Sequence, residues 1–283
     1  MLPMQAPDSQ PCAALDSAVD QAWERMRASF DGDWLGTTTW YGRDSHGMNL
    51  ERGIASGTPS LYAIRFTDAH SGEWHGTGLR YAPGGERRFP LHRHTYNLGH
   101  NCWHFPQTAG QSSLRMTADL AKAGHEVNFF HGRSRSMLVV LYQPGADGHL
   151  RLESIAATAF RCERSATEPR RPGFTSLEEF LAVPAGWPGM ESSLNPGVHP
   201  DQTAPDRPCP EFSAETFRQH AVCGLFEDQL ACSLPDQLPV GSFELHLGCL
   251  VEPETFVHCL IGFDADHHLL GWRERRYHPT KQR

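Results

Sequence analysis

Two stretches decide the fold: "RSMLVVLYQPGADGHLRLES", residues 135–154, and "TFVHCLIGFDADHHLLGWRE", residues 255–274. Each reads as an apolar strand, an aromatic, a short turn containing Ala-Asp, and a second strand. Just upstream, "HEVNFF" (125–130) and "FELHLG" (243–248) both carry glutamate at their second position. The match is weak in identity and close in pattern, and it implies two related β-units.

Working outward, residues 34–162 alternate β-prone runs with glycine-rich turns. "LYAIRFTD" (61–68) passes through "AHSGE" into "WHGTGLRY" (74–81), a hairpin by period and turn chemistry. Strand following strand with no helix between them predicts a barrel or sandwich, not a βαβ sheet. "ERSATEPRRPG" (163–173) is polar and proline-rich and reads as a linker. Ser176 and Glu179 form a capping box for a short helix. Seven prolines from Pro184 to Pro210 predict an extended loop, and strands resume near Phe212. Ahead of all this, Leu15, Val19, Trp23, Met26 and Phe30 make one apolar stripe at helical spacing within "CAALDSAVDQAWERMRASF" (12–30). The predicted organisation is therefore an N-terminal helix (1–30), a first β-barrel (31–163), a linker with a short helix and a proline-rich loop (164–210), and a second β-barrel or its major part (211–283).

Composition narrows the function. With 39% hydrophobic and 20% charged residues the 283-residue chain has material for a core, and 26 glycines and 21 prolines favour turns. A net charge of −8 argues against nucleic acid as the main partner. No run is long and apolar enough for a transmembrane segment, and the start lacks a secretory pattern, so a cytoplasmic location is expected. Eight cysteines without a CxxC pair fit a reducing compartment; Cys249 and Cys259 read as small buried hydrophobes. There is no GxSxG elbow, P-loop, dinucleotide fingerprint or HExxH.

"DWLGTTTWYG" (33–42), "EVNFFHGRSRSMLVVLY" (126–142) and "LPVGSFELHLGCLVEPETFVHCLIGFDADHHLLGWRERRY" (238–277) resemble the lipocalin-like (calycin) proteins of a domain-of-unknown-function family. That family includes the chloroplast ATP-synthase biogenesis factor and cyanobacterial relatives. The resemblance implies an all-β protein of two tandem antiparallel barrels. It also implies, from the plant members, an assembly or scaffold role with a protein partner. Cys249 stands where the family commonly has an aromatic, "GRSRSM" replaces part of its arginine run, and the histidines at 92–104 are not a family feature.

Those histidines, in "LHRHTYNLGHNCWHF" (91–105), are the first candidate for chemistry. His92 and His94, two apart, share a face if on one strand, and two imidazoles there suit a transition metal given a third ligand. A cupin-like HxH would need a following glutamate, but no acidic residue lies between Thr95 and Ala118. His104, His125 or His131 are the alternatives. A cavity wall lined by imidazoles, or solvated turn histidines, are the competing readings. The second candidate is the pair of glutamate strands: Glu126, Asn128 and Phe130 share a face, as do Glu244 and His246. If that face is inward, each half holds a carboxylate beside an amide or imidazole in an apolar lumen; if outward, it is solvated or ion-paired. Arg133 and Arg135 are candidates to hold a ligand carboxylate. Trp74, Trp103 and Trp272 are candidates to line a cavity.

The sequence thus points to binding of a small, mostly apolar or amphipathic molecule in the first barrel. Its catalytic form would be a cofactor-free isomerase, cyclase or hydratase with His92, His94 and Glu126 as acid–base groups. Trp103, His104, Asn128, Arg133, Arg135, Glu244 and His246 are the expected ligand-binding residues. No cofactor is expected. A non-catalytic scaffold, or a metal-dependent enzyme built on His92 and His94, are the alternatives.

Overall fold

The computed structural model describes residues 23–79, 86–96, 101–163, 171, 173–196 and 205–280. The first half of the predicted N-terminal helix, His100, Cys12 and most of the 163–173 linker lie outside them. Residues 23–30 are helical (α1). Next come β1 (Gly32–Gly36), β2 (Thr38–Asp44), β3 (Gly47–Met48), β4 (Ile54–Ala55), β5 (Ser60–Phe66), β6 (Ser71–Thr77), β7 (Glu86–His92), β8 (Cys102–His104), β9 (Thr108–Ser112), β10 (Ala123–His131), β11 (Ser134–Pro144) and β12 (Leu150–Cys162). After α2 (Leu177–Ala182) follow β13 (Gly189–Leu194), β14 (Arg207–Cys209), α3 (Ala214–Phe217), β15 (Val222–Phe226), β16 (Leu230–Leu234), β17 (Phe243–Glu252), β18 (Thr255–Phe263) and β19 (Leu269–Tyr277).

The chain is mostly β, in two antiparallel sheets. The first runs β7-β6-β5-β1-β12-β11-β10-β9-β8, with β2 also paired to β12. The second runs β14-β13-β19-β18-β17-β16-β15. Each is a meander whose last strand returns to pair with its first, so the sheet curls. Neither path is joined end to end among the described residues: β7 and β8 are unpaired with each other, as are β14 and β15. What the structure shows is therefore two curled sheets, each with a seam, where closed barrels were expected. The second sheet also starts earlier than expected. β13 and β14 fall inside the 164–210 stretch read as a linker, because "GMESSL" pairs in register with β19 from Gly189↔Tyr277 to Leu194↔Trp272.

The repeated pattern becomes β10-β11-β12 in one sheet and β17-β18-β19 in the other. In β11, β12, β17 and β18 both faces are buried along most of the strand, which is why "LVVLY" and "VHCLIGF" read as nearly continuous apolar runs. One face forms the core between the sheets: Val127, Phe129, Leu138 and Val140 meet Leu245, Leu247, Val257 and Ile261. Cys249 and Cys259 sit in the same core as free thiols, the small hydrophobes expected of them. The opposite faces turn away from each other, into two separate interiors. In the first interior, Trp23, Met26 and Phe30 of α1 pack with Trp34, Tyr62, Ile64 and Phe160. In the second, Phe180 of α2 and Phe217 of α3 fill the space beside Phe212 and Phe256.

Three of the polar contacts that pin this joint are set among its buried residues. The indole N–H groups of Trp103 and Trp272 both donate to the Ser112 hydroxyl, at 3.2 and 2.9 Å, with the two rings stacked at 6.0 Å. Buried Asp228 accepts from Arg161, at 2.7 Å, and from Arg171 and the Ser136 hydroxyl. Burial pushes its carboxyl up, but Arg161, Arg171 and Ser136 outweigh this and bring it down to about 2. Glu274 of the second sheet accepts from the Gln107 backbone N–H at 3.1 Å and the Thr108 hydroxyl at 2.8 Å of the first. It is fully buried, and desolvation outweighs those bonds and the Arg276 charge, raising it to about 7.

Two outcomes follow for stability. Ser112→Ala leaves two buried indole N–H groups without an acceptor and costs about 3 kcal/mol in urea unfolding, as one transition because the sheets share a core. Glu274 binds its proton more tightly folded than unfolded, so its contribution is full below about pH 4.5 and is lost as pH rises through about 7. Glu274→Gln, which keeps an acceptor for Thr108, removes that decline. Relative to wild type it gains about 3 kcal/mol between pH 4.5 and 8 in denaturant titrations at stepped pH.

Candidate functional site

The first interior is only partly filled. At the unjoined β7/β8 seam it opens into a cavity of about 590 Å³. Strand alternation sets its walls. β5 and β6 pair in the register Tyr62↔Gly76 and Ile64↔Trp74, so Tyr62, Ile64 and Trp74 project to the inside. Across the seam, β9, β10 and β11 place Gln111, Glu126 and Val139 side by side, by Glu126↔Gln111 and Glu126↔Val139 pairing. Leu141 of β11, and Trp23 and Met26 of α1, line the cavity as well. The mouth carries Phe89, stacked on Trp74 at 4.7 Å, with Leu91 and His92 along β7. Gly110 makes the tight β9/β10 approach possible: a β-carbon there would collide with the Glu126 carbonyl oxygen.

Glu126 is half-buried. Its Oε1 accepts from Asn128 Nδ2 at 3.0 Å and lies 3.5 Å from the Tyr62 hydroxyl. The Tyr62 ring in turn has Arg135 over its face at 4.1 Å. Burial first, and then the Glu126 charge, drive the Tyr62 hydroxyl well above its usual range. Burial also raises the Cys102 thiol, on the same wall, to about 12.

Of the expected catalytic trio, His92 and Glu126 line the cavity and His94 does not. β7 ends at His92, so the two histidines do not share a strand face. His94 lies in the exposed turn that follows, its backbone N–H donating to His92 Nδ1 at 3.2 Å, with the rings 5.2 Å apart. Among the described residues no group of three or more His, Cys, Asp or Glu converges to hold a metal ion.

The other expected ligand-binding residues separate further. Asn128 is buried behind Glu126 and orients it. Trp103 and Trp272 belong to the joint between the sheets, and Trp74 alone of the three candidate tryptophans faces the cavity. His104 is buried under Phe30, hydrogen-bonded through Nε2 to the Tyr96 hydroxyl; burial, aided by the Arg25 charge, lowers it to about 3. Arg133 lies over Trp34 at 4.7 Å with Cys162 Sγ at 2.7 Å. Arg135 is wholly buried, enclosed by the faces of Phe30, Trp34, Tyr62 and Phe160. Both arginines serve the packing of the interior and neither lines the cavity. In the second sheet Glu244 is ion-paired with Arg273, and His246 is buried against His258 at 3.1 Å. Burial, then His220, Arg275 and Arg273, bring His246 down to about 3.

Sequence reading missed Tyr62, Phe89, Leu91 and Gln111. The alternation in "LYAIRF" was the available signal for Tyr62. Phe89 and Leu91 depended on knowing that β7 ends the sheet.

No family model matches the sequence, and no curated protein does. Among solved structures, the fold is similar to that of a protein of unknown function from the DUF3598 family, from Nostoc punctiforme PCC 73102. The TM-score is 0.65 at 14% identity, over 92% of this chain and 99% of that one. The tesB protein of Mycobacterium avium subspecies paratuberculosis aligns over 98% of this chain and 91% of its own at 11% identity, with a TM-score of 0.14, below that of a shared fold. The chain therefore has the β-rich fold of that DUF3598 protein. No helix is long and apolar enough to cross a membrane among the described residues.

Because His104 and His246 are held neutral by burial, their imidazole resonances are expected to stay flat from pH 5 to 8. An inflection for either in that range by NMR would contradict the burial seen here.

Proposed function

We propose that the chain binds a small, mostly apolar molecule in the cavity of its first sheet. One observation carries this reading: the two interiors of the repeat differ. The second is filled by its own aromatics, from α2 and α3. The first keeps about 590 Å³ open at the seam, a volume that suits a drug-sized ligand. Much of the wall is aromatic and aliphatic, and Glu126, Gln111, His92, Asn101 and Arg87 are among the polar groups that can orient what enters. The calycin-like reading of the architecture belongs with this proposal, since a curled meander around a ligand space is its general form.

Binding is favoured over acid–base turnover. His94 stands outside the cavity, and the Tyr62 hydroxyl and Cys102 thiol are driven away from neutral pH by burial. Glu126 and His92 are therefore proposed as ligand contacts.

The test uses the neutral fluorescent probe N-phenyl-1-naphthylamine. It is expected to bind wild type with a blue-shifted, enhanced emission. Leu141→Trp, which takes up cavity space, is expected to weaken binding at least about tenfold at unchanged circular dichroism. His92→Ala should weaken it a few-fold and His94→Ala not at all. Equal binding to wild type and Leu141→Trp would place the probe elsewhere and overturn the reading.

A further inference from the structure

Among the described residues the cavity carries one carboxylate, Glu126, and its surroundings distinguish it from every fully buried carboxylate described in the chain. Glu191 is met by Arg207 at 2.5 Å and Arg275 at 2.7 Å, Asp228 by Arg161 and Arg171, and Glu274 by Arg276 at 3.5 Å. The fold thus supplies guanidinium wherever it shuts an acid away from water, as the cost of burying a lone charge demands. Glu126 is treated differently. Its described contacts are the neutral Asn128 amide and Tyr62 hydroxyl, and no cationic side chain is within ion-pairing distance among the described residues. Arg87, the one arginine of the lining among the described residues, is exposed on β7, where water screens it. Meanwhile the wall around Glu126 carries Trp74, T-shaped to Tyr62 at 5.4 Å and stacked with the exposed Phe89 at 4.7 Å, while the Tyr62 ring is itself already covered by Arg135 at 4.1 Å. Aromatic faces beside a carboxylate suit an organic cation, which gains both an ion pair and cation–π contact on leaving water.

We propose that the ligand of this cavity is an amine: a flat apolar body seated against Trp74 and Phe89, carrying an ammonium group that reaches Glu126. This deepens the apolar-binding reading and rests on it. Asn128 then acts as the positioning residue. By donating to Oε1 it fixes the carboxylate and leaves Oε2 to face the incoming N–H.

The experiment compares three compounds with one ring system and different heads: 1-naphthylmethylamine, 1-naphthalenemethanol and 1-naphthoate, measured by calorimetry against wild type, Glu126→Gln and Glu126→Asp. Wild type is expected to bind the amine at least about tenfold tighter than the alcohol, and the naphthoate weakest. Glu126→Gln should erase the preference for the amine while leaving the affinity for the alcohol within about twofold. Glu126→Asp, which keeps the charge, should retain the order. Equal affinity for amine and alcohol in a protein that binds N-phenyl-1-naphthylamine overturns this proposal and leaves the cavity reading standing. A preference for the naphthoate overturns it too, and points to Arg87 as the anchor. Failure of N-phenyl-1-naphthylamine and all three compounds to bind overturns both.

Discussion

Burial of β10, β11 and β12 on both of their faces is the constraint on which the rest of the structure depends. A strand that buries alternate residues needs one partner layer; these strands bury successive residues, from Val127 to Phe130, Ser134 to Val140 and Ser154 to Phe160, and need two. The second sheet supplies one layer through Val127, Leu138 and Val140. The other has to come from the first sheet itself, which curls until β5 and β6 face β10 and β11 across an interior. The curl is completed by chain order: β12 returns to β1 and β2, as β19 returns to β13. What is left over is the seam between the two ends of the path.

The two halves treat that seam differently, and function follows from the difference. In the second sheet the interior is occupied by Phe180, Phe217 and Phe256, so the curl ends as a packed core. In the first, α1 fills one end with Trp23, Met26 and Phe30, and the space beyond stays open between β7 and the β9–β11 wall. The interior charges fall into the same division. Arg135 is caged by four aromatic rings and braces the packed end, whereas Glu126 stands at the boundary between packing and open space. The polar pins at Ser112, Asp228 and Glu274 hold the two sheets in one register. Of the three, Ser112 also stands in the cavity lining, whereas Asp228 and Glu274 lie outside it.

Much of this was legible in the sequence, and the failures have physical causes. The repeat at 135–154 and 255–274, the β5–β6 hairpin and the helical turn of residues 23–30 all follow from period, and period survives burial. Alternation alone put Glu126, Asn128 and Phe130 on one face and left its direction open; the structure turns that face to the first interior, where Glu126 lines the cavity. β13 and β14 were lost because proline density masked a strand whose partner lies eighty residues downstream in β19. The histidine pair was misplaced because two-residue spacing fixes a common face only inside a strand, and β7 stops at His92. Arg133 and Arg135 look like ligand anchors in sequence; which guanidinium meets a ligand and which meets tryptophan is decided by tertiary packing. Trp103 and Trp272 failed for the same reason, being claimed by a shared hydroxyl from β9.

The central claim is that the first interior is hollow at the β7/β8 seam while the second is not. A crystal structure of the complex with N-phenyl-1-naphthylamine tests it most directly. The account predicts ring density between Trp74, Phe89 and Leu141, with β7 and β8 still unpaired and the Phe180–Phe217 interior unchanged. Density confined to the second sheet or to the outer surface, with β7 hydrogen-bonded to β8, would contradict it.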